Sequence, residues 1–391
     1  ALRIDNDQTL ALQKNCVVLV RRSGKSLDAI LPDSRKVTTR ALAMVPITEV
    51  EPATGCGVVV RDVAAGRNFH WQKTIDVSLP GELHFRVHEN SVVVANRLPF
   101  EHYVMCVATS EMSADCPTAF LEAQTITARS WMLANVQKKH RALDIDVCND
   151  DCCQRYQGST FLSPQAIAAA SATAGEVVLY DDNICDARYS KSCGGVMEAF
   201  EAVWPGEPHP YLQVKQDAPD KQQRKNIDLT TESSMQQWLV DPPAAYCSPH
   251  FIPETELTKY LGNVDESSRY FRWQKTVSQE DLIENLNEKY DIQATHIDAL
   301  HVLERGGSGR AIKLRVDYTD STSQQRRLVL ESEYAIRAAL HPRFLYSSAI
   351  AIEAVPGKAD APKKFHIKGC GWGHGVGLCQ IGGLGMALAG K

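Results

Sequence analysis

The sequence predicts a mixed α+β fold in which strands dominate, and three observations carry that reading. Short apolar runs punctuated by Gly, Pro, Asp and Ser fill the first eighty residues. Helix-like segments open at Pro117 and Pro164, where proline suits a first helical turn. Strand patterning then returns after about residue 295.

Taken in order, the runs Cys16 to Arg21, Ala41 to Val45 and Gly57 to Val63 form an N-terminal β-rich region over 1–80. Further strand runs are expected from Gly81 to Val107, with Ser110-Glu111-Met112 at their end and the Pro117 helix following. On that helix Ala119, Ala123, Ile126, Ser130 and Leu133 recur at spacings of four and three and share one face. The alanine-rich segment Pro164 to Ala174 predicts a second helix suited to close packing. Strands at Glu176 to Tyr180 and Asp186 to Ser190 lead to Cys193-Gly194-Gly195. From about 215 to 295 the composition turns polar and reads as an insertion or lobe within a domain spanning 81–391, with a helix over Gln279 to Tyr290. His296 to Leu303, Ala311 to Tyr318 and Gln325 to Leu330 read as strands, the first two joined by a turn at Gly306 to Gly309.

With 391 residues, 44% apolar and 23% charged, the chain can bury a sizeable core. A net charge of -5 without a run of five like charges argues against a nucleic-acid or anionic-lipid surface, so no nucleic-acid partner is expected. Apolar runs such as Cys16 to Val20 fall far short of the roughly 18 residues of a membrane span. Twelve cysteines point either to metal sites or to disulfides in an exported protein. The chain opens at Ala1 in mature-looking sequence, so a leader, if one existed, has already been removed, and its absence is uninformative.

Four stretches have the residue types for chemistry. Glu111, beside apolar Met112, is a carboxyl that partial desolvation would push toward general-acid use, and Arg129 could hold it or an anionic group. A glutamate that simply faces water near a helix start is the plainer account. His140, Cys148, Cys152 and Cys153 supply the imidazole and thiols that tetrahedral zinc accepts, whereas a disulfide to Cys116, Cys185 or Cys193 would use the same thiols. Asp144, Asp146 and Asp150 lack the glycine and closing glutamate of a calcium loop. In Tyr189 to Gly195, Ser190, Ser192, Gly194 and Gly195 could offer hydroxyl and backbone donors to a sugar or carboxylate, although turn chemistry explains them equally well. Finally, CGWGHGVGLCQIGG over 370–383 alternates glycine with other residues, so Trp372, His374 and Gln380 would project from a bare wall. Such a trio is common in carbohydrate grooves, and a packed glycine turn is the alternative. Cys379 with His374 as a thiol-protease pair lacks an activating context.

Together these stretches resemble the stage II sporulation protein D family, the lytic transglycosylase and amidase-enhancer group. VMCVATSEMSADCPTAFLEAQTITARSWML over 104–133 resembles the family's E-M-P segment and its A-Q-A-V-A-A-R helix, and CNDDCCQRYQG resembles its cysteine-histidine-cysteine-glutamine-x-tyrosine element. Ser190 to Gly195 stands at the serine and glycine-pair loop, and Gly371 to Gly383 looks like the G-W-G-H-G-V-G signature. The resemblance covers roughly residues 80 to 391, with weaker echoes at Trp204, Trp273 and Ser308-Gly309-Arg310.

The resemblance implies cleavage of peptidoglycan glycan strands between N-acetylmuramic acid and N-acetylglucosamine with a 1,6-anhydromuramyl product. Glu111 matches the catalytic acid and Arg129 its supporting arginine. A hydrolase generally needs two carboxylates, whereas a transglycosylase manages with one because the sugar's 6-hydroxyl is the nucleophile; no second motif-borne carboxylate stands out here. Structural zinc at the cysteine cluster, no organic cofactor, a cell-wall amidase as partner and an extracytoplasmic location are further implications. A non-catalytic enhancer of an amidase is the other reading. Ser113 in place of proline, Cys152 in place of histidine and Cys193 in place of serine depart from the family pattern, and the last makes Cys193 a disulfide candidate. The glycine stretch is then expected to wall a glycan groove, so that valine at Gly373 or Gly375 would abolish cleavage with stability nearly unchanged.

Overall fold

A computed structural model describes residues 1–4, 8–48, 50–136, 139–219, 228–262, 269–357 and 362–391. Parts of the polar stretch, 220–227 and 263–268, lie outside them. The described residues form a strand-rich α+β protein with eight helices: α1 (Phe100–Glu111), α2 (Thr118–Asn135), α3 (Pro164–Ala172), α4 (Glu232–Val240), α5 (Glu254–Tyr260), α6 (Gln279–Tyr290), α7 (Glu333–Ala339) and α8 (Gln380–Leu388). They fall into two compact units, the first made of 1–65, 73–114 and 132–176, the second of 66–72, 115–131 and 177–391.

In the first unit, an antiparallel sheet runs in the order Ser91–Arg97, Glu82–His88, Leu42–Met44, Leu2–Ile4, Gln8–Leu10. Its apolar face meets the hairpin strands Leu19–Ser23, Ser26–Ile30 and Lys36–Thr39 around Leu2, Leu27, Ala29, Leu42 and Leu83. The β-rich region therefore continues past residue 80, because Leu83 and Phe85 alternate into the same core. Helix α1 corrects the strand expected up to Val107. Every residue from Tyr103 to Glu111 is buried, so the run carries no one-sided periodicity and its Val and Thr content imitates a buried strand.

The second unit is built on two antiparallel sheets, Arg272–Ser278, Pro362–Cys370, Ile350–Pro356 and Ala294–Arg305, Ala311–Asp320, Gln325–Leu330, each with its middle strand as written. Trp273, Leu282, Leu286, Ile297, Leu314, Val316, Ile336, Phe365 and Ile367 share one core with α6 and α7. The segment 272–290, expected in a polar lobe, is thus integral to that core: α6 is polar outside and buries Leu282 and Leu286 inside. Ser278 caps α6 by accepting the Asp281 N–H at 3.0 Å, which fixes its start where the sequence placed it.

The buried face of α2 is not the expected one. Of the expected face Ser130 is buried and Ile126 half-buried, but Ala119, Ala123 and Leu133 are exposed, and Phe120, Leu121, Gln124, Thr125, Ala128, Arg129, Trp131 and Met132 are buried. Gln124, Thr125 and Arg129 are polar, so a reading by apolar spacing alone selects the wrong stripe.

Candidate functional site

Glu111 is the last residue of α1 and is 6% exposed. Its Oε1 accepts the Arg155 backbone N–H at 3.1 Å. Next to it, Ser110 Oγ donates to the Cys106 carbonyl at 2.7 Å and accepts the Gln157 N–H at 2.9 Å. Tyr103, two turns earlier on α1, donates its hydroxyl to Gln154 Oε1 at 2.9 Å and stacks on Tyr156 with ring centroids 5.2 Å apart. The segment 154–157 is therefore laid along the end of α1 by contacts from Gln154, Arg155, Tyr156 and Gln157. Burial and neighbouring charges push the Tyr103 hydroxyl well above its usual range, so it serves as a neutral donor.

Asp151 is a carboxylate that the sequence reading did not single out. Arg155 Nε donates to its Oδ1 at 2.8 Å, while Oδ2 has no hydrogen-bond partner among the described residues. Burial raises the Asp151 pKa, Arg155 opposes the shift, and the Glu111 charge adds to it. Glu111 and Asp151 thus share one electrostatic neighbourhood, although Asp151 is tied to its own arginine.

Directly before this segment lie the cysteines. The ligand atoms of His140, Cys148, Cys152 and Cys153 all fall within 4.8 Å of one another. Cys153 Sγ is 3.3 Å and Cys152 Sγ 3.7 Å from His140 Nε2, and the Cys148 and Cys152 sulfurs are 3.0 Å apart. Adjacent Cys152 and Cys153 do reach one point, because Cys153 sits in a turn whose N–H bonds the Asp150 carbonyl at 2.9 Å. All twelve cysteines are unpaired, and Cys116, Cys185 and Cys193 belong to the second unit. Hydrogen bonds from Cys152 and Cys153 draw the Cys148 thiol strongly down, while those same contacts drive Cys152 up. One imidazole and three sulfurs converging in this way fit a tetrahedral ion.

In the second unit, the glycine stretch runs beside residues 188–198. Tyr189–Ser190 pairs in parallel with Leu378–Cys379, and bridges join Ser192 to Trp372 and Glu198 to Val376. Gly375 has φ +80°, and a Cβ there would collide with the Arg310 guanidinium. Gly377 has φ +76°, and a Cβ there would strike the Arg188 carbonyl. Arg310 is fully buried and reaches the Cys193 and Gly373 carbonyls at 3.4 Å, and Ser308 Oγ at 2.9 Å. Ser308 in turn donates its hydroxyl to buried Glu198 at 2.6 Å. The glycines admit this chain's own backbone and arginine, which corrects the expectation of a bare groove wall.

The side chains expected to project from that wall are largely committed elsewhere. Trp372 is 3% exposed and packs on His70 and Tyr270 with centroids 5.0 and 4.5 Å away. A ring so enclosed has no face for a sugar. His374 Nδ1 accepts the Val376 N–H at 3.1 Å, and its ring meets Trp204 edge-on at 4.7 Å. Burial, with the charges of Arg188, Arg310 and Arg337, holds His374 well below its usual pKa and so neutral. Gln380 is buried and donates to Gln124 Oε1 at 3.2 Å, joining α8 to α2. Gly194 and Gly195, both at positive φ, face Gly371 and Trp238. Ser190 and Ser192 differ: both hydroxyls are buried and find no hydrogen-bond partner among the described residues. Arg129 is 1% exposed on the α2 portion of the second unit, and Glu111 lies in the first.

The stage II sporulation protein profile matches residues 88–180, and a domain of unknown function (DUF8618) matches residues 198–377. An uncharacterized protein of Brachyspira hyodysenteriae (strain ATCC 49526 / WA1) is 26% identical over 311 residues, covering 80% of this chain and 67% of that protein. The amidase enhancer of Bacillus subtilis (strain 168) is 25% identical over 289 residues, covering 73% of this chain but only 37% of the enhancer. Glu111, Arg129 and the His140 to Cys153 cluster all lie within residues 88–180, the segment that matches the stage II sporulation protein D family.

Proposed function

We propose that the protein acts on the bacterial cell wall as a peptidoglycan lytic transglycosylase, with Glu111 as its single general acid and base. The observation that carries this reading is a buried glutamate at a helix end, oriented by the Arg155 N–H on Oε1. Glu111 donates its proton to the bridging oxygen as the bond from muramyl C1 to that oxygen breaks. The resulting carboxylate accepts the proton of the same sugar's 6-hydroxyl as O6 bonds to C1, closing the anhydro ring. Asp151 is held by Arg155 at 2.8 Å, which favours one working carboxyl over a hydrolytic pair. Arg129, which matches the family's supporting arginine, supplies a buried positive charge for the substrate, and Ser190 a hydroxyl donor to the glycan.

His140, Cys148, Cys152 and Cys153 would hold a structural zinc ion. Bound there, the ion supplies a rigid anchor for the segment that carries the Arg155 N–H, and no chemical step passes through it. The substrate places the working protein outside the cytoplasmic membrane; no helix among the described residues is long and apolar enough to cross one.

The relation to an amidase enhancer favours a second reading, in which the chain binds glycan strands and activates a cell-wall amidase without cutting them. Mass spectrometry of glycan ends after incubation separates the two. Anhydromuramyl ends that disappear in Glu111→Gln support cleavage, whereas amidase stimulation that survives Glu111→Gln without such ends supports the enhancer.

A further inference from the structure

Away from Glu111, the second unit gathers a second set of soft ligands that has no sequence signature. Cys193, Asp217, Cys247 and Cys379 are all buried, and their ligand atoms lie within 4.8 Å of one another. The Cys193 and Cys247 sulfurs are 3.7 Å apart, and Asp217 Oδ2 is 3.8 Å from Cys193 Sγ. Two thiolates on one tetrahedral zinc, each about 2.3 Å from the ion, are separated by about 3.8 Å. Bonded sulfurs would instead stand at about 2.05 Å.

Four segments converge on this point. Cys193 follows the strand Tyr189–Ser190, and Asp217 follows Lys215–Gln216, its N–H bonded to the Gly195 carbonyl at 2.9 Å. Cys247 sits in the turn closed by the Ser248 N–H on the Ala245 carbonyl at 2.9 Å, and its own N–H donates to Asp217 Oδ2 at 2.9 Å. Cys379 is the N-cap of α8. Its sulfur accepts N–H groups from Cys193 at 3.1 Å and Gly382 at 3.3 Å, and Cys193 Sγ accepts the Gly195 N–H at 3.4 Å. Backbone donors aimed at sulfur are the outer contacts that orient and stabilise metal-bound thiolates. Gly382 leaves the space: a Cβ there would stand 2.9 Å from Asp217 Oδ2 and 3.1 Å from Cys379 Sγ.

We propose that Cys193, Asp217, Cys247 and Cys379 form a mononuclear zinc site, distinct from the His140 cluster, that ties the Ser190 to Gly195 loop to the start of α8. Held as thiolates, the three sulfurs and the carboxylate would repel one another, and a cation at their centre removes that repulsion. Arg272 lies beside the site, donating to the Gly194 carbonyl at 3.0 Å, and its charge offsets part of the complex's excess negative charge. An iron–sulfur cluster spreads its thiolates over several metal atoms, so these close spacings favour one ion. Zinc over a hard cation follows from the sulfur ligands.

The test uses the full chain purified reduced. Zinc measured by elemental mass spectrometry is expected to persist at one ion per chain in a His140→Ala, Cys152→Ser variant and to vanish when Cys247→Ser is added. Because Cys247→Ser could unfold the unit, the metal-free His140→Ala, Cys152→Ser chain is also titrated with cobalt(II). A thiolate-to-cobalt charge-transfer band that remains in the folded His140→Ala, Cys152→Ser variant supports the site. Absence of both zinc and that band from this variant overturns it, as does recovery of a peptide pair joined by a Cys193–Cys247 disulfide.

Discussion

At the residue scale, close contacts decide which side chains remain available for ligands. Gly375 lies against Arg310, so Gly375→Val should cost at least about 2 kcal/mol through overpacking and left-handed strain, read as a lower denaturant midpoint. Activity and stability should fall together, in place of the selective loss that an open groove wall would give. His374 makes a prediction with a sign. Its folded pKa is depressed by burial and by Arg188, Arg310 and Arg337, so below about pH 6.5 the unfolded chain binds a proton that the folded chain refuses. His374 therefore contributes a loss of stability as pH falls from about 7 to about 5, and His374→Gln should flatten that part of a denaturation-against-pH curve.

At the element scale, α1 and the segment after the cysteine cluster act as one piece. Ser110→Ala leaves the buried Gln157 N–H without its acceptor and should cost about 1–3 kcal/mol. If the proposed cleavage holds, anhydromuramyl product should drop with it, because the same segment orients Glu111. Chelation is expected to loosen that segment from its cysteine end. The near-ultraviolet circular dichroism of the Tyr103–Tyr156 stack should weaken on removing metal and return on adding zinc. A wild-type signal that stays unchanged on chelation and on adding zinc would count against an ion there.

At the scale of the whole molecule, the C-terminal glycine stretch completes the second unit. The strand Pro362–Cys370 is the middle of its sheet, and Leu378–Cys379 pairs with Tyr189–Ser190 nearly two hundred positions earlier. Ending the chain after Cys370 removes α8, the Trp372 ring and the Gly373 carbonyl that accepts from Arg310. Such a truncation should lose cooperative unfolding of the second unit by calorimetry, while the separate Leu2, Leu27 and Leu83 core of the first unit still melts.

Patterns of local origin were legible in the sequence. The Gln279–Tyr290 helix, the Gln325–Leu330 strand, the Pro164 helix and the gathering of His140 with three nearby cysteines follow from residues close along the chain. The motif order also singled out Glu111 as a candidate, since it depends on residue identity and not on conformation. Helix α1 was hidden because burial on every side erases periodicity, and the core face of α2 because it is partly polar. What the glycines face, the enclosure of Trp372 and the meeting of Cys193, Asp217, Cys247 and Cys379 were decided only by tertiary structure. Each joins segments far apart in the chain, and contacts of that kind leave no spacing along the sequence by which to read them.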